Sequence, residues 1–237
     1  MPEGRLRKTP LEHFTLFSEF EISKEDLLEI RRHLTNARRD VGRDFAFYPE
    51  LKPDVILAKS ETFHAYTSLG KGVAGLYDGK IHIPLPSNAP SPRFVQGVLW
   101  HEYTHAVVTE LSRNKCPVWL SEGFAVYEES LVEPPKLESL KAALAANPNQ
   151  LPLKLSEIGA SIDSVRTRDA TTARLAYDQA YCLVHYLFSR YSRANINEFL
   201  RLLARGTSLE ESLQSVFHIS PKEIEPLWLR HVQKLAG

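Results

Sequence analysis

The feature that most restricts the fold of this chain is a pair of histidines four residues apart. The segment reads His101-Glu102-Tyr103-Thr104-His105. Residues with this spacing lie on one face of an α-helix with Cβ atoms about 6 Å apart. Two imidazoles placed in this way can converge on one Zn²⁺ at about 2.0–2.1 Å each. Glu102 follows the first histidine, from where its carboxylate can reach a water on that metal.

The apolar neighbours of the two histidines favour a metal site. Both histidines belong to one helical stripe with three apolar residues. In chain order the stripe is Phe94, Val98, His101, His105 and Val108, at positions i, i+4, i+7, i+11 and i+14. Such a stripe is expected to be buried, and burying a polar group without a partner costs about 1–3 kcal/mol. A bound metal would satisfy both imidazoles. The alternative is a pair of histidines that matches the motif by chance.

A third ligand is expected from the helix that follows. A break at residues 114–117 ends the first helix, and a short break of this kind can fold the second helix back toward the first. Glu122 would then face the histidines. Gly123 costs about 1 kcal/mol relative to alanine inside a helix, which indicates a close backbone approach there. On spacing alone three other ligands stay open, namely Glu110, which lies off the histidine stripe, Glu128 and Glu129. Glu129 is alternatively a residue that orients a ligand histidine, or a structural carboxylate.

The two motifs together resemble the gluzincin zinc metallopeptidases. H-E-Y-T-H followed by P-V-W-L-S-E-G-F-A-V-Y is most similar to the small bacterial proteins of the MA-like peptidase group, and more distantly to the aminopeptidase and leukotriene-hydrolase branch. The resemblance extends over about residues 72–191. It implies a Zn²⁺ cofactor held by His101, His105 and Glu122, with Glu102 as the catalytic acid and base. It also implies hydrolysis of peptide bonds, by a metal-activated water, in a peptide or protein substrate.

A further stretch that resembles the family is Ala176-Tyr177-Asp178-Gln179-Ala180-Tyr181. It is similar to the family segment whose tyrosine stabilises the oxyanion, which implies a catalytic role for Tyr177. A hydroxyl aimed at a developing negative charge contributes several kcal/mol. The alternative is that Tyr177 and Tyr181, four residues apart, complete an apolar core face with Ala180, Val184 and Leu187.

One departure from the aminopeptidase branch concerns the glycine-rich strand. Those enzymes carry a glutamate there that binds the free amine of the substrate. The corresponding residues 72–77 of this chain contain no acidic residue, and the first one that follows is Asp78. This argues against aminopeptidase specificity. The strand from Lys80 to Leu85 is predicted to be a half-buried edge strand, which could bind an extended peptide by strand addition. His82 on this strand is expected to be exposed.

The order of predicted elements indicates an α+β, zincin-like fold. Strands are expected at 14–17, 55–58 and 81–85, a helix at 23–41, and a turn at 77–80. Helices are expected at 91–113, 119–131, 136–146, 171–191, 195–205, 208–217 and 221–235, the first of them capped by Ser91. We therefore expect a mixed α/β lobe over residues 1–131 with a small sheet and the motif helix. A mostly α-helical lobe over 132–237 would complete one catalytic unit, with the cleft between the lobes.

Composition and charge narrow the choice of partners. Lysine plus arginine and aspartate plus glutamate number 29 each, so the formal charge of zero favours neither nucleic acid nor an anionic membrane. No stretch is apolar enough to span a membrane, and the first residues lack the apolar segment of a signal peptide, so the cytoplasm is the default expectation. The sequence makes no prediction of oligomeric state. Two rival functions are a non-catalytic, zinc-stabilised binding module, against which Glu102 argues, and a zinc hydrolase of a non-peptide bond.

Overall fold

The computed structural model describes residues 6–50, 52–67, 73–85, 92–163 and 170–236. A small mixed sheet occupies the first third of these residues and helices dominate the rest, so the predicted α+β class is confirmed. The strands in the described ranges are β1 (Arg7–Pro10), β2 (Thr15–Ser18), β3 (Asp54–Lys59), β4 (Leu76–Tyr77) and β5 (Ile81–Leu85). The helices there are α1 (Lys24–Asp44), α2 (Ser60–Thr67), α3 (Pro92–Ser112), α4 (Val118–Ser130), α5 (Glu138–Ala146), α6 (Leu155–Asp163), α7 (Ala170–Arg190), α8 (Arg193–Ala204), α9 (Leu209–Phe217) and α10 (Pro221–Ala236).

The sheet has the order β1-β2-β3-β5-β4. β2, β3 and β5 run parallel to one another, while β1 pairs antiparallel with β2 and β4 pairs antiparallel with β5 on the two edges. Parallel strands need a crossover connection, and α1 connects β2 to β3, whereas α2 and β4 lie between β3 and β5. β3 lies at the centre, and its residues from Val55 to Ala58 are all buried, as expected of a strand covered on both faces.

The prediction for β5 was wrong in two respects. β5 is not an edge strand, because Leu76 and Tyr77 of β4 pair with His82 and Ile81 on its outer side. His82 is also not exposed. It is only 4% accessible, its Nε2–H donates to Asp78 Oδ1 at 2.9 Å, and its ring stacks with that of Tyr66 from α2. Alternation of apolar and polar letters indicated one solvated face, but α2 covers that face.

The two residues in the middle of the motif of helix α3 are buried. Tyr103 is buried and contacts the ring of Phe14 edge to face, with the ring centroids 5.6 Å apart. Thr104 is also buried, and its hydroxyl donates to the Trp100 carbonyl at 2.7 Å. The two flanking histidines are only half-buried. The helix therefore buries the centre of the motif and leaves the imidazoles more accessible. The predicted cap Ser91 and the side chain of Phe94 lie outside the described residues.

Packing divides the chain into two compact units, residues 1–107 and 108–237, with the boundary inside α3. In the second unit α7 is the central helix, against which α4, α5, α6, α8 and α10 pack. The predicted lobes of residues 1–131 and 132–237, and their joint action as one catalytic unit, stay predictions. Within the described residues, no helix combines the length and the apolar character needed to cross a membrane.

Candidate metal centre

The structure brings together the three residues predicted as metal ligands. His101, His105 and Glu122 each offer one ligand atom, and these atoms all lie within 4.8 Å of one another. The two imidazole rings stand 5.0 Å apart between centroids at 73° to each other. No other group of three or more histidine, cysteine, aspartate or glutamate side chains in the described ranges meets this criterion. The alternative ligands Glu110, Glu128 and Glu129 are not part of it.

The donor set fits a zinc ion. Two imidazoles and one carboxylate are one of the ligand sets of catalytic zinc sites, which keep a fourth position open, whereas structural sites usually use four protein ligands. In the tetrahedral geometry of zinc, ligand atoms about 2.0–2.2 Å from the ion stand about 3.3–3.6 Å apart. The observed separations reach at most 4.8 Å, so the donor atoms need to approach one another by no more than about 1.5 Å. Small side-chain rotations would therefore bring the three donors around one ion.

Glu102 occupies the buried side of α3, with only 4% of its surface accessible. Its carboxylate lies directly against the backbone of Gly75. A Cβ atom built on Gly75 would stand 2.4 Å from Oε1 and 2.9 Å from Cδ of Glu102. The predicted general base is thus held in a confined space with little access for bulk water.

Glu122 is positioned by the close packing of α4 on α7. A Cβ atom on Gly123 would lie 2.7 Å from the carbonyl oxygen of Ala180 and 3.0 Å from Cγ2 of Val184. The close backbone approach predicted from Gly123 is therefore confirmed. One turn further along α4, the ring of Tyr127 stacks on that of Phe188 with centroids 4.3 Å apart. These contacts fix the helix that carries Glu122.

Tyr177 lies half-buried on α7, in a segment that contacts several other elements. Asp178 accepts the backbone N–H of Leu140 at 3.3 Å, in the first turn of α5. Burial raises the pKa of Asp178, against the opposing effect of that hydrogen bond. Gln179 is fully buried, and its amide bonds both the N–H and the carbonyl of Leu153, at 2.8 and 2.9 Å. The rotation of α7 about its axis at Tyr177 is thereby fixed.

Tyr181, the other tyrosine of this segment, belongs to the core. It is buried beside Ala180, Val184 and Leu187, which are fully or almost fully buried. The apolar face predicted for α7 is thus present, with Tyr181 as part of it and Tyr177 at its more accessible end. The role of Tyr177 as the oxyanion donor stays a prediction.

Sequence reasoning missed two residues that shape this region. Gly75 was considered only as part of a glycine-rich segment, although its contact with Glu102 is among the tightest of any described glycine. Gln179 was quoted as part of a motif without a role. A glutamine within a helical apolar run is a signal that could have found it, because a buried amide needs hydrogen-bond partners.

Comparisons with known proteins come from sequence and from structure. The family model of the Peptidase MA superfamily matches residues 88–234, which is more than half of the chain and extends from the region of α3 to α10. The chain therefore belongs to the Peptidase MA superfamily, and the resemblance predicted from its two motifs is confirmed. A comparison with curated proteins gave no match.

Among solved structures, the chain is similar to a mutant of an M1 zinc metallopeptidase from Deinococcus radiodurans. The identity is 17% and the TM-score is 0.45, and the match covers 95% of this chain and 51% of that one. The chain thus spans about half the length of that protein.

Proposed function

We propose that this chain is a zinc-dependent metallopeptidase that hydrolyses peptide bonds. His101, His105 and Glu122 would hold the metal, Glu102 would be the general base, and Tyr177 would stabilise the oxyanion. The observation that carries the proposal is the convergence of three donor atoms of the catalytic-zinc type within 4.8 Å, next to a buried carboxylate on the same helix. Membership in a peptidase superfamily supports the same function.

The chain's own groups supply the acid–base chemistry. Zinc held by these residues would supply a Lewis acid that acidifies water and polarises a peptide carbonyl. Glu102 accepts the proton of the attacking water and later delivers it to the leaving amine. Because Glu102 is almost fully buried, little bulk water competes for its carboxylate. The hydroxyl of Tyr177 donates a hydrogen bond to the oxygen on which negative charge develops.

The test separates metal binding from turnover. The zinc-loaded protein is offered a peptide library, with and without chelator, and bound zinc is quantified by elemental mass spectrometry. Glu102→Gln should keep one zinc per chain and lose about 10²–10⁴-fold in kcat, the usual contribution of a general base. Glu122→Ala should lose zinc as well as activity.

The matched control is Glu110→Gln, which changes another glutamate of α3 that lies outside the metal-binding group. This variant should keep both zinc and activity. Full activity in zinc-loaded Glu102→Gln would overturn the assignment of the base. Unchanged zinc affinity in Glu122→Ala would overturn the assignment of the third ligand.

A further inference from the structure

Gly75 lies against Glu102, and its backbone conformation does not explain why a glycine is found there. The glycines with positive φ in the described residues are Gly79 and Gly206, and Gly75 is not one of them. The φ angle at this position therefore does not call for a glycine. A side chain there would instead force Glu102 to shift, because a Cβ would stand 2.4 Å from Oε1, 2.8 Å from Cγ and 2.9 Å from Cδ of Glu102. All three of these atoms belong to the predicted general base.

Gly75 is also held firmly against that base. The next residue, Leu76, begins β4, which pairs with β5 through Leu76 and His82 and through Tyr77 and Ile81. Glu102 lies on α3, and the adjacent Tyr103 is buried and anchors this part of the helix. Neither backbone is free to withdraw without disturbing the sheet or the helix. The backbone of Gly75 therefore limits the positions that the Glu102 carboxylate can take.

We propose that Gly75 is a positioning residue for Glu102, and that the missing side chain at position 75 sets the place of the carboxylate. This inference rests on the proposed function, because it gives Glu102 the role of base. A general base must come within about 2.6–3.2 Å of the proton that it takes. Ordinary van der Waals contact begins at 3.4 Å, so a Cβ at 2.4 Å displaces the carboxylate by 3.4 − 2.4 = 1.0 Å. A misplacement of about 1 Å can cost on the order of 10²-fold in rate.

The first arm of the test measures catalysis. Gly75→Ala should lower kcat by about 10²-fold, with KM and zinc content close to those of the wild type. In a Glu102→Gln background the same substitution should cost nothing further, because residues that act as a unit are not additive. Gly159→Ala is the matched control, since its Cβ would meet only Cδ1 of Trp119 at 3.3 Å. This control should leave kcat unchanged.

The second arm needs neither metal nor activity. With zinc removed by a chelator, Gly75→Ala should lower the urea midpoint of unfolding when Glu102 is present. The same change should lower it much less in a Glu102→Ala background, where the clashing atoms are gone. If Gly75→Ala alone does not fold, the substitution is tested in Glu102→Asp instead of the wild type, because the aspartate side chain is shorter and leaves room for the new Cβ. There Gly75→Ala should cost less than tenfold in kcat relative to Glu102→Asp alone.

The outcomes separate this inference from the proposed function. An unchanged kcat in Gly75→Ala, a rise in KM alone, or a further loss of activity in the Glu102→Gln background would each overturn the positioning role. Additive effects on the urea midpoint would overturn the contact itself. If zinc-loaded wild type cleaves no peptide, the proposed function fails and the catalytic role of Gly75 fails with it. The chelated proteins still report the contact in that case.

Discussion

Replacing Gly123 by alanine should loosen the packing of α4 on α7. The new Cβ would stand 2.7 Å from the Ala180 carbonyl oxygen, and ordinary contact begins at 3.4 Å, so the two helices must separate by up to 3.4 − 2.7 = 0.7 Å. The obstacle is backbone within α7, which cannot rotate away as a flexible side chain could. Two opposing effects then decide the change in stability.

Alanine in place of glycine favours the helix by about 1 kcal/mol, whereas overpacking a close contact costs about 1–3 kcal/mol. Because the clash is with backbone, we expect the upper part of that range and a net loss of about 1–2 kcal/mol in the free energy of unfolding. Glu122 is the preceding residue and moves with α4. Zinc affinity should therefore fall by about 10–100-fold, as it does when residues that orient a metal ligand are changed.

Urea unfolding in the presence of chelator measures the stability term, and competition with a chromophoric chelator measures the zinc affinity. Gly159→Ala, on α6, is again the control, and its stability should stay near that of the wild type. If Gly123→Ala were as stable as the wild type and bound zinc equally well, the geometry derived for α4 and α7 would be refuted.

Two further predictions concern the second unit. Gln179→Leu removes the amide that bonds both the N–H and the carbonyl of Leu153. The free energy of unfolding should therefore fall by about 1–3 kcal/mol. A loss below about 0.5 kcal/mol in urea unfolding would contradict this. Burial lowers the pKa of His231 from 6.5 to about 4, and the neighbouring His185 and the positive charges of Lys234 and Arg190 act in the same direction. The unfolded chain then binds a proton that the folded chain does not, so His231 should cost about 1 kcal/mol of stability, after allowance for solvent screening, as the pH falls from 6.5 to 4. Unfolding of the metal-free protein at several pH values should show a smaller slope in His231→Gln, and equal slopes would rule the effect out.

Local sequence patterns determined most of the helical architecture. The starts of α8 and α9 follow from Ser192 and Ser208, whose side chains cap the helices with the help of Asn195 and Glu211 three residues later. Four short elements, β1, α2, β4 and α6, were missed, because elements of two to nine residues carry little periodicity. The predicted bounds of the longer helices agree with the structure to within three residues, and the largest difference is at the end of α1, predicted at Val41 and observed at Asp44.

The spacing of His101 and His105 depends only on helix geometry, because four residues always return to the same face. For this reason the sequence alone determined that the two imidazoles are neighbours and that Glu102 lies beside them. Only the tertiary structure decided which glutamate approaches them, that His82 is buried, and that Gly75 presses on Glu102. Each of these contacts joins segments distant in the chain, and side-chain periodicity carries no information on how such segments meet.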